Sequence, residues 1–233
     1  MKKITSLILI TVICCAFMFS CGNNEDAGKL YLVKNTLTEK SGTTTTEFIY
    51  NGNYQVVKHK TTAGGISDTE SELGYDENGY QNYQKAISKS GLVNEIFITN
   101  DANGRQLEMR IVQTYNGKET ETIITYEYTD ENGSRIETAT SGTVTTVTND
   151  EHGNAITRSN NRGQSSTYEN KYEGELLIET KATMTMGTNT IVTTTKYEYD
   201  SQGNKVKETN YDSNGTVIST QTFEYSSKVT FID

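Results

Sequence analysis

The chain has 233 residues, of which only 33% are apolar, too few to fill a thick two-layer core of this length. Its formal net charge of −9 excludes charge-driven binding to nucleic acid or to an anionic membrane surface. Its 38 Thr and 15 Tyr, with no Pro and no Trp, suit a pleated, half-solvated sheet, so the expected fold class is all-β.

Lys2 and Lys3 precede an apolar run over residues 4–20, short for a membrane span and placed where a secretory signal belongs. The run ends in Met18-Phe19-Ser20-Cys21-Gly22. A small residue directly before a cysteine resembles a lipobox, with Phe19 standing where many lipoboxes carry a small residue. The resemblance implies a lipoprotein signal over residues 1–20, an acylated Cys21 as the first mature residue, and a polar tether to residue 29. Cys14 and Cys15 leave with such a signal, so no disulfide can form. Gly22 after the cysteine resembles outer-membrane sorting in gram-negative lipoproteins, and Asn23-Asn24-Glu25-Asp26 resembles a surface-export signal. Two or more acyl chains anchor stably where one does not. Without residues 1–20, 19 bases face 30 acids, a net −11.

Downstream, a first strand is expected over residues 30–38. Glycine-centred turn signals then recur from Gly42 to Gly215 at gaps of 9 to 16 residues, leaving strands of roughly 5–10 residues. Punctuation at this spacing marks consecutive antiparallel hairpins. The clearest unit is stated twice over residues 197–215, as Tyr199-Asp200…Gly203 and Tyr211-Asp212…Gly215. Asp opens such a turn by bonding the backbone two residues on, and Gly closes it where φ must be positive. Variants follow Tyr75-Asp76, Asn100-Asp101, Asp130 and Asn149-Asp150, each with Gly three residues after the Asp. A shortened form stands at Tyr50-Asn51-Gly52, Tyr115-Asn116-Gly117 and Tyr172-Glu173-Gly174. Blander turns, such as those at Gly91, Gly142, Gly163 and Gly187, tend to fall between, as in a meander with the repeated turn along one sheet edge.

Period two assigns the faces. Phe48 and Tyr50, Leu73 and Tyr75, Tyr126 and Tyr128, Tyr197 and Tyr199, and Phe223 and Tyr225 each sit two apart. They define a buried face, with each ring on a neighbouring strand and each hydroxyl in water. The apolar residue three after the glycine (Leu107, Ile136, Ile156, Leu177, Val206, Ile218) is expected to join them. Thr, Lys, Glu and Gln fill the other face. Residues 82–90 make the weakest strand and also fit a turn of helix. The turn count gives a single extended antiparallel hairpin meander of about 14–16 strands over residues 30–233. Twist should roll so many strands into an open half-pipe or barrel-like sheet.

The unit at Tyr199-Asp200…Gly203-Asn204, Tyr211-Asp212…Gly215, Tyr75-Asp76…Gly79 and Asp150…Gly153-Asn154 resembles the tyrosine-aspartate (YD, or RHS-type) repeats of bacterial surface proteins. The resemblance covers most of residues 48–225 as degenerate copies and implies β-repeat architecture. Large members of that family roll their sheet into a shell around a toxin; this chain shows no self-cleaving or toxin region, so encapsulation does not carry over.

Motifs for chemistry are scarce. His59 lies between Lys58 and Lys60 and His152 lies in a turn; neither has nearby ligands, and no cysteine survives to complete a zinc site. Asp76, Asp101, Asp130 and Asp212 open turns like a calcium loop, but the twelfth positions are Ile87, Val112, Ser141 and Phe223 where an EF-hand needs Glu. Phosphate loops and nucleophile elbows are absent. The expectation is a non-enzyme without metal or cofactor: an outer-membrane lipoprotein, facing either the cell surface or the periplasm, held by Cys21 and serving as an interaction or scaffold module for a protein or glycan. Competing classes are a hydrolase of envelope glycan and a toxin-immunity or spacer protein. Acids and aromatics converging in one concavity would favour glycan, and a wholly interior Tyr set would favour a scaffold.

Overall fold

The computed structural model describes residues 29–63 and 67–232; the signal segment, Cys21 and residues 22–28 of the tether lie outside the described residues. The wall opens with β1 (Tyr31–Glu39), β2 (Gly42–Tyr50), β3 (Val56–Ala63), β4 (Ser67–Tyr75), β5 (Gln81–Ser88) and β6 (Val93–Asn100). It continues through β7 (Gln106–Tyr115), β8 (Lys118–Tyr128), β9 (Arg135–Ala139), β10 (Val144–Asn149), β11 (Ala155–Asn160) and β12 (Gln164–Glu173). Last come β13 (Leu176–Met186), β14 (Asn189–Tyr199), β15 (Lys205–Tyr211), β16 (Val217–Ser226) and the short β17 (Thr230–Phe231). Residues 81–88 are strand and hold no helical turn, because ladders from both β4 and β6 claim their backbone and tertiary pairing overrides local propensity.

Consecutive strands pair antiparallel from β1 to β16, and β16 pairs back onto β1. The sheet is therefore a closed sixteen-stranded barrel and not an open half-pipe. Closure pairs the N–H and C=O groups that two free edges would leave bare. Followed once round, the registers advance by about 18 residues, a strand tilt of about 40°.

An even strand number puts the start of β1, the end of β16 and seven connections at one end, the motif rim. Hairpin tips make the opposite end, the far rim. Six of the seven motif-rim connections carry the Asp- or Asn-opened turn, as the alternation of turns suggests. Asn160 and Asp212 break the rule, because their turns tip the β11–β12 and β15–β16 hairpins at the far rim. The two tandem copies within residues 197–215 thus finish at opposite ends of the barrel.

Registers put Phe48, His59, Ser71, Ala86, Asn94 and their cross-strand successors on one face round the whole wall. That face holds Tyr50 and Ser71 at 1% exposure, Val147 at 3% and Ile96 at 5%. Side chains converge on the concave side of a closed single sheet and splay on the convex side, so this is the lumenal face. All five expected aromatic or apolar pairs lie on it. Most lumenal residues are nevertheless half-exposed, because sixteen strands enclose more width than side chains fill.

The residues three after each glycine behave differently from expectation. Leu107 and Ile218 are exposed and the other four half-buried. Leu107, Ile156, Val206 and Ile218 are each the residue skipped where the ladder shifts register beside the turn. A bulged residue has no cross-strand partner, and period-two burial does not reach it.

The outer face carries Lys and Glu set opposite each other across neighbouring strands: Lys34–Glu224 (3.3 Å), Lys85–Glu95 (3.2 Å) and Lys207–Glu198 (2.8 Å). Such pairs add little stability in water. Their place matters more, since a barrel wall in contact with lipid presents an apolar band there.

Candidate interaction rim

Asp76 shows how the repeated turn is made. Its Oδ1 accepts from the N–H groups of Asn78 (3.0 Å) and Tyr80 (2.9 Å), while the Gly79 N–H reaches the Asp76 carbonyl at 3.0 Å with φ +83°. The same bonds recur at Asp101, Asp150, Asp200 and Asp212. Asn51 opens a full-length copy and not a shortened one: its Oδ1 accepts from Asn53 and Gln55, and Tyr54, not Gly52, takes the left-handed position at φ 58°.

The residue before the turn ties the open end of its hairpin, as does Tyr225 at the turnless end of β16. Tyr50 donates to the Leu32 carbonyl (2.6 Å), Tyr75 to Val56 (2.6 Å), Tyr199 to Leu177 (2.8 Å) and Tyr225 to Lys205 (3.1 Å). Asn100 does the same through Nδ2 to Gln81 at 3.0 Å. These hydroxyls are not left in water. They satisfy carbonyls beyond the last ladder rung, which burial would otherwise penalise. Burial pushes the Tyr50 and Tyr75 hydroxyls up, the latter to about 12.

The two histidines lie apart. His59 is lumenal and half-buried rather than exposed, 6.0 Å from the Phe48 ring, with burial holding its pKa down. His152 sits far off in its turn, stacked on Tyr172 at 4.2 Å and 3.2 Å from Glu175. Tyr172 and Asn170 donate to Asp150. Burial pushes the Asp150 carboxyl up, but these bonds and the Asn154 N–H more than offset it and hold it below the usual range. Among the described residues no group of three His, Cys, Asp or Glu is placed to hold a metal.

Among the described residues, the strand acids on the lumenal face are Glu39, Glu137 and Glu208. Glu137 accepts from Arg135 (2.9 Å) and Arg158 (2.6 Å), and Glu208 from Lys205 (3.0 Å). Glu137 and Glu208 are each paired with cationic neighbours, while Glu39 lies exposed at the far-rim end of β1.

The two rims differ in charge and in apolar exposure. Described connections at the motif rim (51–55, 76–80, 101–105, 129–134, 150–154, 174–175, 200–204) hold nine acids against Arg105 alone, a net −8. Those at the far rim hold Lys40, Lys89 and Arg162 against Asp212, a net +2. Of twelve exposed large apolar residues, eight lie at the far rim. Met184, Met186 (57% exposed), Ile191 (54%), Val217 (54%) and Ile218 cluster at the adjacent tips of β13–β14 and β15–β16. Reading by period two overlooked Met184, Met186, Ile191 and Val217 and expected Ile218 to be buried. Their signal in sequence was apolar residues crowded against the turns at Gly187 and Gly215, where no core requires them.

No protein-family model and no curated protein matches the chain. Among solved structures, 37 chains match. A porin-like protein from Bacteroides vulgatus ATCC 8482 aligns over 85% of this chain and 99% of its own, at 10% identity and a TM-score of 0.44. A porin-like protein from Bacteroides uniformis ATCC 8492 aligns over 84% and 96%, at 12% identity and 0.46. A chain of the TcdB2-TccC3-Cdc42 complex aligns over 76% of this one and 10% of its own, at 16% identity and 0.35. At these scores the similarity carries no weight for function.

Proposed function

We propose that this is a lipid-anchored protein of the cell envelope, held at the outer membrane through Cys21, whose barrel stands in water and offers its far rim to a protein or glycan without catalysis. The observation that carries this reading is the split between the rims: nine acids where the chain enters the barrel, and eight exposed apolar side chains at the other end. A tether over residues 22–29 spans at most about 28 Å, so an anchored barrel keeps its motif rim toward the lipid. The tether, working against the repulsion between the acidic rim and anionic headgroups, leaves the apolar rim facing outward. Ion pairs on the outer wall support a barrel in water over one embedded in the bilayer. The Tyr latches and Asp turns support reading the chain as a degenerate YD-type array that serves as scaffold.

Metabolic labelling with a palmitate analogue tests the anchor: label and membrane pelleting should both vanish on Cys21→Ser. The acyl-free chain 22–233 should remain monodisperse without detergent, and a requirement for detergent would overturn the reading. Immobilised 22–233 should retain an envelope component that Met186→Glu with Ile218→Glu releases and that Leu107→Glu, at the motif rim, leaves bound. Equal retention by both variants would remove the far rim from the proposal.

A further inference from the structure

β1 and β2 part before they reach the motif rim. Their ladder ends at Lys34 and Glu47, where a bulge at Val33 turns the start of β1 onto β16. The last residues of β2 lose their β1 partner, and β17 fills the slot. It crosses the start of β1 and runs parallel to β2, Thr230 beside Ile49 and Phe231 beside Tyr50, and the Ile232 N–H donates to the Tyr50 carbonyl at 3.0 Å.

At this strap Tyr31, Leu32 and Tyr50 are all at 5% exposure or less. Phe231 meets Tyr54 edge-on at 5.4 Å, and Tyr54 stacks on Tyr31 at 4.7 Å. Tyr54 is also the one bulky residue at this rim held at positive φ, where the other described turns place glycine. A bulky side chain in that conformation is strained, and here the strain sets the ring that receives the strap.

The strap is thinly held. Only two of its residues are in register, and Phe231 and Ile232 are still 43% and 51% exposed. A cleft of about 400 Å³ runs beside it, bounded by Lys34, Phe48, Ile49, Glu224 and Lys228.

We propose that the β1–β2 seam is a strand-acceptor site that takes residues 228–232 from its own chain or from a second copy, giving a strand-exchanged dimer. The occupant follows from what fills the slot: main chain in one register and a phenylalanine on Tyr54, both of which a second copy supplies unchanged. Seam, strap and the start of β1 share one rim. Copies anchored side by side would therefore hold strap and slot at one height and at high effective concentration; that step rests on the proposed anchor, whereas the acceptor site does not.

The test uses the acyl-free chain 22–233, which has no cysteine. Ile49→Cys and Thr230→Cys are made separately, mixed and oxidised with copper–phenanthroline. A disulfide joining the two variants should form about tenfold more than with Thr167→Cys, on the outer face of β12, in place of Thr230→Cys, because only cross-strand neighbours meet disulfide geometry. Adding Phe231→Asp to the Thr230→Cys chain should abolish it while circular dichroism stays that of a β-protein. A yield no higher than the Thr167→Cys control, or one indifferent to Phe231→Asp, would overturn the exchange. So would a chain carrying both substitutions that closes only on itself while the mixture gives no dimer.

Discussion

Tyr50 and Tyr225 make the same bond to a carbonyl, but Tyr50 is 1% exposed whereas Tyr225 is half-buried. Tyr50→Phe leaves the Leu32 carbonyl buried without a donor and should cost about 1–3 kcal/mol. Tyr225→Phe should cost less, since water reaches the Lys205 carbonyl; urea unfolding of both variants checks the order. Glycines separate in the same way. Gly104 has φ +81°, and an added Cβ would fall 2.4 Å from Cε1 of Tyr80, whereas Gly203 at φ +83° has open space. Gly104→Ala should therefore cost about 2–4 kcal/mol and Gly203→Ala about 1–2 kcal/mol by the same assay. The tyrosines also set an alkaline limit. Tyr75 and Tyr172 are pushed up to about 12 by burial, Tyr172 also by its bond to Asp150. Unfolded phenols lose protons from about pH 10. Stability is thus complete below pH 10 and drains as pH climbs toward 12, and the urea midpoint should fall across that window. A chain with Tyr75→Phe and Tyr172→Phe should fall less steeply.

At the scale of strands, the lumenal bridge over β10 is the clearest non-repeating device. Arg158 on β11 reaches Glu137 on β9 across the intervening β10, whose Thr145 and Val147 lie buried at 8% and 3% exposure. Glu137→Ala removes the one carboxylate between two guanidiniums and should cost about 2–3 kcal/mol, below the figure for a fully buried pair because Arg158 is partly solvated. Arg158→Ala should cost less, because Arg135 still neutralises Glu137. Hydrogen exchange should show the loss as faster opening of β9–β11, with β13–β16 unchanged. Hairpin β5–β6 makes the opposite point: residues 82–90 carry a mixed local signal, and ladders on both sides decide it as strand.

Across the whole molecule, charge is sorted by rim. A net −8 in the motif-rim connections repels itself, and salt screens such exposed charges over about 10 Å at 0.1 M. The melting temperature of 22–233 should accordingly rise by a few degrees between low and 0.5 M salt, and a fall would argue that the outer ion pairs dominate. The same sorting explains why the two mouths of one barrel offer unlike surfaces.

Turn chemistry was legible residue by residue. Asp76, Asp101, Asp150, Asp200 and Asp212 bond their own backbone within four positions, a local matter that needs no tertiary partner, and period two placed Phe48, Tyr50, Tyr197 and Tyr199 on one face. Closure was not legible, because the meeting of β1 and β16 joins residues nearly two hundred apart and no local preference records it. The fate of each Tyr hydroxyl was hidden for the same reason: the carbonyl it serves lies on the neighbouring strand, about 18–22 positions upstream. Nor could alternation foresee the bulges that expose Leu107 and Ile218, or the strap that buries Tyr31. Local hydrogen bonding writes the turns into the chain, whereas register and closure exist only once distant backbone has met.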